Sequence, residues 1–200
     1  KALGLVPKYG VGGRNNDYGS GYYLAEDLEL AREWAYSKYA GLDQEKGYVY
    51  HYSLDFSKLR VLNLCELDTV HWVAELLSNR KITKSGFYDN SDVSRFVSKF
   101  KIDTSQYDVI LGYRADDAYF SYVQSFADGT LSLNGLETCM REGNLGLQVF
   151  IKSRKAFSML KLVKREEVNN SYKGKFTKRT YNASNMCKRI ERDDRRNRSS

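Results

Sequence analysis

The sequence predicts one α+β domain, residues 1–168, followed by a basic and partly helical tail, residues 169–200. The chain has 200 residues, of which 42% are hydrophobic, and this is enough to bury one core. Its strand-like segments cluster without a regular strand-helix alternation, which favours an α+β fold over a doubly wound sheet. Basic residues are concentrated near the carboxyl end, and this separates the tail from the rest of the chain.

Alternating apolar positions with β-branched and aromatic residues predict six strands. These are residues 21–24, 48–54, 60–64, 107–113, 147–153 and 161–168. The sole proline, Pro7, and the glycines that follow it predict a loop over residues 7–21.

Helical spacing of apolar residues predicts the remaining elements. An apolar stripe that includes Leu28 and Trp34 predicts a first helix, which Asp27 caps through its carboxylate. A second helix over 68–80 starts at Asp68 or Thr69 and buries one face. Further helices are predicted at 89–99, 116–127 and 132–142.

Composition excludes several classes of protein. No run approaches the roughly 18 apolar residues of a membrane span, and no basic and apolar leader is visible, so we expect a cytoplasmic protein without a membrane partner. The three cysteines, Cys65, Cys139 and Cys187, are widely spaced and lie far from any histidine pair, which supports neither a disulfide framework nor a metal site.

The net charge of +7 lies in the last part of the chain. Residues 173–200 hold 10 basic and 3 acidic side chains, which leaves 22 of each for the other residues. Such a segment attracts nucleic acid through release of counterions, and it is equally typical of a solvated end that keeps a protein soluble.

The loop before the first strand contains Gly10, Gly12, Gly13, Gly19 and Gly21. Glycines allow a ligand to approach the main chain closely, and they also occur in ordinary turns. Their spacing matches neither the dinucleotide-binding fingerprint nor the P-loop. The residues alone therefore leave a binding loop and a plain turn as alternatives.

The segment GSGYYLAED, followed by LAREWA, resembles the tyrosine-strand signature of the ADP-ribosyltransferase superfamily. The resemblance implies a split β-sheet with flanking helices and NAD as co-substrate. It implies that Tyr23 stacks on the nicotinamide ring and that Gly21 lets the main chain reach the nicotinamide amide. Tyr22 alternates to the opposite face, where we expect it to pack on Trp34.

Further segments resemble one bacterial branch of that superfamily, long catalogued as a domain of unknown function. They lie in the expected order over residues 9–157. The resemblance implies a mono-ADP-ribosyltransferase, in the setting of a bacterial or phage toxin or defence component. Its acceptor would be protein, RNA, DNA or a small molecule, and its further partner an antitoxin or immunity protein.

Two positions depart from the pattern that the resemblance implies. Relatives begin with a histidine-bearing strand, which we expect to be missing from this chain because it begins at Lys1. Many relatives also carry glutamate where this chain has Gln148. An amide can bind a ribose hydroxyl, but it lacks the charge that stabilises a cationic sugar. Gln148 is nevertheless predicted to be catalytic.

Three other polar residues are candidates for the site. Asp117 follows a strand, where side chains often line a site, and it is a candidate for positioning the acceptor. Its neighbour Asp116 is expected to cap the following helix. Arg14 suits contact with a pyrophosphate, with a solvated loop cation as the alternative.

Two other functions remain open on the sequence. The first is a degenerate NAD- or nucleotide-binding sensor or interaction module, which Gln148 favours. The second is a nucleic-acid-binding protein that acts through its basic tail. The retained GSGYY strand opposes the first, and the second lacks a known binding motif in the body of the chain.

Overall fold

A computed structural model describes residues 7–10, 12–13, 15–37, 46–80, 91–115, 117–143 and 146–199. The side chains of 117–119, 142–143 and 198–199 lie outside this description. Within these ranges, six strands form two sheets and seven α-helices surround them. The predicted α+β class, with a sheet divided in two, is confirmed.

The larger sheet has four strands in the order β1-β5-β4-β3, comprising Tyr22–Ala25, Leu147–Ile151, Val109–Tyr113 and Val61–Asn63. Strand β5 pairs antiparallel with both neighbours, whereas β3 and β4 are parallel. The smaller sheet joins β2, Gly47–Ser53, to β6, Lys161–Val168, in an antiparallel pair. Strand β1 is therefore an edge strand of the larger sheet.

Within the described residues, seven α-helices lie between and after these strands along the chain. They are α1 (Leu28–Trp34), α2 (Thr69–Asn79), α3 (Ser91–Phe100), α4 (Asp117–Ala127), α5 (Leu133–Gly143), α6 (Arg154–Met159) and α7 (Lys175–Ser199). Short 3-10 turns occupy Phe56–Lys58, Leu64–Glu66 and Asn170–Tyr172. Asp27 caps α1 as predicted, because its Oδ1 accepts a hydrogen bond from Leu30 N at 2.8 Å.

The two faces of the larger sheet bury separate apolar clusters. Trp72, Ile110 and Phe150 belong to the main cluster, which α2 and the helices α4 and α5 complete. Val109 and Ile151 belong to a smaller cluster on the opposite face. This alternation places every second residue of β1 and β5 on the same side, and so determines which side chains meet.

The helix α7 belongs to the main core. Ala183 and Cys187 are buried within the main cluster, where Tyr122 Oη donates a hydrogen bond to Ala183 O at 3.3 Å. Arg179 holds Glu33 of α1 by two hydrogen bonds of 2.7 and 2.8 Å. The tail predicted over residues 169–200 is thus almost entirely one helix, and one of its faces docks on the body.

Most predicted elements agree with the structure to within two residues at each end. The helix α6 was not predicted, although Ser153 caps it by accepting a hydrogen bond from Ala156 N at 3.1 Å. The start of the predicted helix 89–99 lies outside the described residues. In the described ranges, no helix is long and apolar enough to cross a membrane.

Because α7 supplies two buried residues to the core, Ala183 and Cys187, we predict that deleting residues 175–199 destabilises the whole domain. Two small buried side chains and the Glu33–Arg179 contact would be lost together, at a cost of about 3 kcal/mol or more. Thermal unfolding followed by circular dichroism measures the effect. A truncated chain that melts at the temperature of the parent would contradict the docked position of α7.

Candidate functional site

A cleft of about 510 Å³ lies between the edge strand β1 and the smaller sheet. Its volume falls within the range of small-molecule sites, about 300–1,000 Å³. Aromatic residues dominate the lining, namely Tyr22, Tyr23, Trp34, Tyr48, Tyr50 and Tyr52. Its charged side chains, among the described residues, are Asp17, Arg80 and Arg114. The cleft therefore combines flat aromatic surfaces with a small group of charges.

Asp17 is a buried carboxylate at one end of the cleft, with only 5% of its surface exposed. Its Oδ2 accepts hydrogen bonds from Ala115 N at 3.0 Å and Gln148 Nε2 at 2.8 Å. Its Oδ1 lies 2.9 Å from Arg80 Nε in an ion pair, but no described donor makes a well-aligned hydrogen bond to this atom. Burial raises the pKa of Asp17, and the Arg80 charge and the two amide donors oppose that rise.

Gln148 is the second buried polar residue, and its amide has a defined orientation. It lies on β5 opposite Ala25 of β1 and Gly112 of β4. Its Nε2 donates to Asp17 Oδ2 and to Tyr113 O at 3.2 Å. Both partners are acceptors, so the NH₂ end must face them. Gln148 Oε1 accepts no hydrogen bond from the described residues and is the open acceptor of this side chain at the cleft.

A network of buried hydrogen bonds around Tyr113 O holds Gln148 and its carboxylate partner in place. Tyr113 O accepts hydrogen bonds from Tyr18 Oη at 2.6 Å and from Trp72 Nε1 at 3.1 Å, in addition to the one from Gln148. Trp72 Nε1 also reaches Tyr18 Oη at 2.9 Å. A Cβ at Gly112 would lie 2.1 Å from Tyr18 Oη, so only glycine lets the tyrosine approach β4. The network fixes the floor of the site.

Tyr23 lies on the same side of the sheet as Gln148. It pairs directly with Phe150, and Phe150 is two residues after Gln148 on β5, so all three side chains share one face. The ring of Tyr23 packs 4.8 Å from that of Phe150. Its hydroxyl donates to Gly19 O at 2.8 Å and accepts from Tyr18 N at 3.0 Å. Burial raises the pKa of this hydroxyl, which keeps it neutral. Tyr23 therefore lines the cleft and also anchors the glycine-rich loop.

The two arginines of the cleft have different supports. Arg80 ends α2 as its C-terminal capping residue, and besides Asp17 it contacts the ring of Phe120 at 4.9 Å from the centroid. Arg114 follows β4 and stacks on Trp34, with its guanidinium carbon 3.7 Å from the ring centroid. A stacked guanidinium keeps its donors in a plane that suits carboxylate or phosphate groups.

Of the predicted site residues, Tyr23 and Gln148 come together at the cleft. Gly21 packs beneath Phe150, because a Cβ there would lie 2.2 Å from the ring carbon Cε2. That contact gives Gly21 a packing role, and its predicted contact with the cofactor stays a prediction. Asp117 is the first residue of α4, but its side chain lies outside the description, as does all of Arg14.

The predicted contact between Tyr22 and Trp34 is wrong. Tyr22 does turn to the face opposite Tyr23, but there it packs on Tyr52 and Phe157, at centroid distances of 6.0 and 6.5 Å. Trp34 instead packs on Phe176 of α7, at 5.0 Å. Alternation gave the correct face, but the partner on that face comes from distant parts of the chain.

The sequence patterns did not identify Asp17 and Arg80 as site residues. Asp17 lies in NNDYGSG, directly before the glycines, and a carboxylate beside a binding loop is the only signal there. Arg80 carries no signal, since it is one of many basic residues at helix ends. The two histidines lie outside the cleft lining: His51 contacts Glu166 at 2.8 Å, and His71 contacts Phe100 O at 2.7 Å. Among the described residues, no group of three or more potential metal ligands is present.

These features define a class of protein: an α+β domain whose divided sheet encloses an aromatic cleft with a buried carboxylate-amide pair. Residues 6–162 match a family described as a protein of unknown function, DUF3990, and the chain belongs to that family. The match includes both sides of the cleft. No curated protein and no solved structure matches the chain.

We predict that Gly112→Ala destabilises the protein and disturbs the cleft, because the new methyl group would collide with Tyr18. Overpacking of this kind costs about 1–3 kcal/mol. Gly13→Ala is the matched control, since the nearest atom to a Cβ there is 3.5 Å away. Equal melting temperatures for the two variants would contradict the close contact between Tyr18 and β4.

Proposed function

We propose that the protein is an NAD-dependent mono-ADP-ribosyltransferase that binds NAD in the cleft. The observation that carries the proposal is the orientation of Gln148, whose amide oxygen is left open at the cleft by its bonds to Asp17 and Tyr113. A ribose presents hydroxyl donors, and an open, fixed acceptor is suited to bind them. The resemblance of the Tyr22–Ala25 strand to the tyrosine strand of these transferases supports the same site.

The aromatic lining suits the flat rings of the dinucleotide. Tyr23 lies within reach of the Asp17–Gln148 pair, so a nicotinamide stacked on Tyr23 would bring its ribose toward Gln148. Arg114 and Arg80 supply positive charge for the pyrophosphate, although Arg80 also offsets Asp17. The cleft thereby offers a partner for each chemical part of NAD.

In the proposed reaction, the bond between nicotinamide N1 and ribose C1′ breaks and its electron pair leaves with nicotinamide. The acceptor nucleophile forms a bond to C1′ and releases its proton to solvent. The transition state resembles an oxocarbenium ion, as in glycoside cleavage. Asp17 acts here as a positioning residue, because it orients Gln148 and does not itself touch the sugar.

Tyr23 provides the first test of the proposal. Tyr23→Ala should weaken NAD binding several-fold or more, because ring stacking contributes about 0.5–1.5 kcal/mol beyond buried area. Tyr23→Phe should keep most of the affinity while losing about 1 kcal/mol of stability, since only the bonds to Gly19 and Tyr18 are removed. Titration calorimetry measures the NAD affinity of both variants, and thermal melting measures their stability. Tyr9→Ala, outside the cleft lining, is the control. Unchanged affinity in the folded Tyr23→Ala protein would refute NAD binding at this tyrosine.

The carboxylate-amide pair provides a sharper test. If the missing charge of Gln148 were the only defect of the site, Gln148→Glu would raise turnover. The geometry predicts the opposite, because the new carboxylate would face Asp17 Oδ2 and Tyr113 O. We expect this variant to lose about 2 kcal/mol or more of stability and most of its NAD hydrolysis.

The double variant Asp17→Asn/Gln148→Glu exchanges the two groups and should recover stability, because one carboxylate again faces one amide. Asp17→Asn alone should reduce NAD hydrolysis without unfolding the protein. Thermal melting and release of labelled nicotinamide are measured on all four proteins. A double variant no better than the sum of its single variants would show that the pair is not coupled.

The raised pKa of Asp17 predicts a pH dependence of activity. Only the ionised carboxylate is purely an acceptor, so protonation releases the constraint on the Gln148 amide. NAD hydrolysis should therefore fall on acidification at a pH above the usual range of an aspartate, and Asp17→Asn should lack this acidic limb. Stability has the opposite pH dependence. Because the pKa of Asp17 is raised in the folded protein, the contribution of Asp17 to the free energy of unfolding is largest below about pH 3.8, and it decreases as the pH rises through the pKa of the folded state.

A second candidate is a module that binds NAD or a nucleotide without turnover. The ion pair between Asp17 and Arg80 favours it, because the pair leaves little net negative charge to stabilise a cationic sugar. Incubation of the protein with labelled NAD and separate pools of protein, RNA and DNA distinguishes the two functions. Saturable NAD binding with neither nicotinamide release nor transfer of label would establish the second candidate.

A further inference from the structure

The helix α7 has a second face that no other described element covers. Its buried face supplies Ala183 and Cys187 to the core, and Asp194 on that side accepts hydrogen bonds from Ser132. The opposite side consists of exposed residues at helical spacing, which we name the basic stripe. Its members are Lys178, Tyr181, Asn182, Asn185, Lys188, Arg189, Arg192 and Arg196.

The basic stripe contains five cations and no acidic residue. The acidic residues of α7 lie off this line: Glu191 pairs with Arg195 at 2.9 Å, Asp194 binds Ser132, and Asp193 lies 3.9 Å from Arg196. Residues before 173 are balanced at 22 basic and 22 acidic side chains. The excess positive charge of the chain is thus displayed mainly along one helix face, which favours a polyanion as its partner.

Tyr181 distinguishes this stripe from a merely solvated helix face. Its side chain is 66% exposed, the largest value among the exposed large hydrophobic residues of the described chain. Polar amides at Asn182 and Asn185 flank it along the helix. An exposed ring among cations and amides is the arrangement on which unpaired bases stack while the phosphates meet the charges.

The helix that carries the stripe also packs against one wall of the cleft. From Lys178 to Arg196 it extends about 27 Å, at 1.5 Å per residue. The first turns of α7 pack against α1, where Phe176 contacts Trp34 and Arg179 binds Glu33. Trp34 lines the cleft. A polymer bound along the stripe would therefore be held on the helix that packs against one cleft wall, on the side of that helix that faces away from α1.

We propose that the basic stripe binds single-stranded nucleic acid, and that this strand is the acceptor for the chemistry in the cleft. The acceptor role rests on the proposed transferase function, whereas binding to the stripe does not. A single strand fits better than a duplex because Tyr181 needs an unpaired base. RNA and DNA share the phosphates and bases that the stripe recognises, so both are tested.

The experiment is fluorescence anisotropy with labelled 12-nucleotide single strands of RNA and DNA, and with the matching duplexes, over a series of salt concentrations. The test variant is Lys188→Glu/Arg189→Glu/Arg192→Glu. It should bind single strands at least tenfold more weakly, and its log-log salt slope should be smaller by about two, from about 0.7 per lost phosphate contact. Tyr181→Ala should weaken binding about fivefold with an unchanged salt slope.

A matched control removes the same charge elsewhere. Lys99→Glu/Lys161→Glu/Lys164→Glu changes three exposed lysines away from α7 and should bind nearly as well as the parent. All substituted positions are exposed, so melting temperatures should stay close to that of the parent. Tighter binding of RNA or of DNA identifies the natural strand, and equal binding supports the shared chemistry.

Several results would overturn the inference. They are an equal loss in the control and test variants, a preference for duplexes, full binding by Tyr181→Ala, and the absence of saturable binding by the parent. NAD affinity is measured on the same proteins. Loss of oligonucleotide binding with intact NAD binding is expected for the test variant. Oligonucleotide binding by a parent that fails to bind NAD would refute the transferase proposal and the acceptor role, but not the binding surface.

Discussion

The buried carboxylate of Asp17 is the constraint on which the site depends. A carboxylate that is 5% exposed is costly to ionise, and it is stable only when donors and a cation surround it. These come from the end of α2, the second residue after β4 and the first part of β5, through Arg80, Ala115 and Gln148. One charge therefore sets the relative positions of the glycine-rich loop and three distant elements.

That constraint extends to the chemistry of Gln148. In isolation, glutamine in place of glutamate suggests a site that has lost its charge. In its surroundings, the amide shares the site with a carboxylate from another part of the chain, and the oxygen of the amide is left open by the bonds of its nitrogen. The negative charge and the hydroxyl acceptor lie on two residues, and neither functions as proposed without the other.

The sequence predicted the secondary structure well because periodicity and capping are local. Asp27 lies next to the helix it caps, and the alternation of Tyr22 and Tyr23 follows from the strand itself. The partners of Tyr22 and Asp17 could not be predicted in this way, since they come from residues up to 135 positions away, such as Phe157 and Gln148. Resemblance located Tyr23 and Gln148, but only the fold showed that Asp17 and Arg80 line the same cleft.

The two proposed sites, the cleft and the basic stripe, would bind their ligands by different physical means. In the cleft, Arg80 offsets the charge of Asp17 at 2.9 Å, and aromatic side chains form a large part of the lining. Ionic strength should therefore change the affinity for NAD only slightly. On the stripe the cations are exposed, and the proposed binding of a polyanion there would gain most of its free energy by releasing counterions. If both proposals hold, rising salt would release a bound polymer at a lower concentration than it would release a bound dinucleotide. Because α7 also contributes to the core, the stripe is attached to the same core that carries the cleft, although the two proposed sites share no described lining residue.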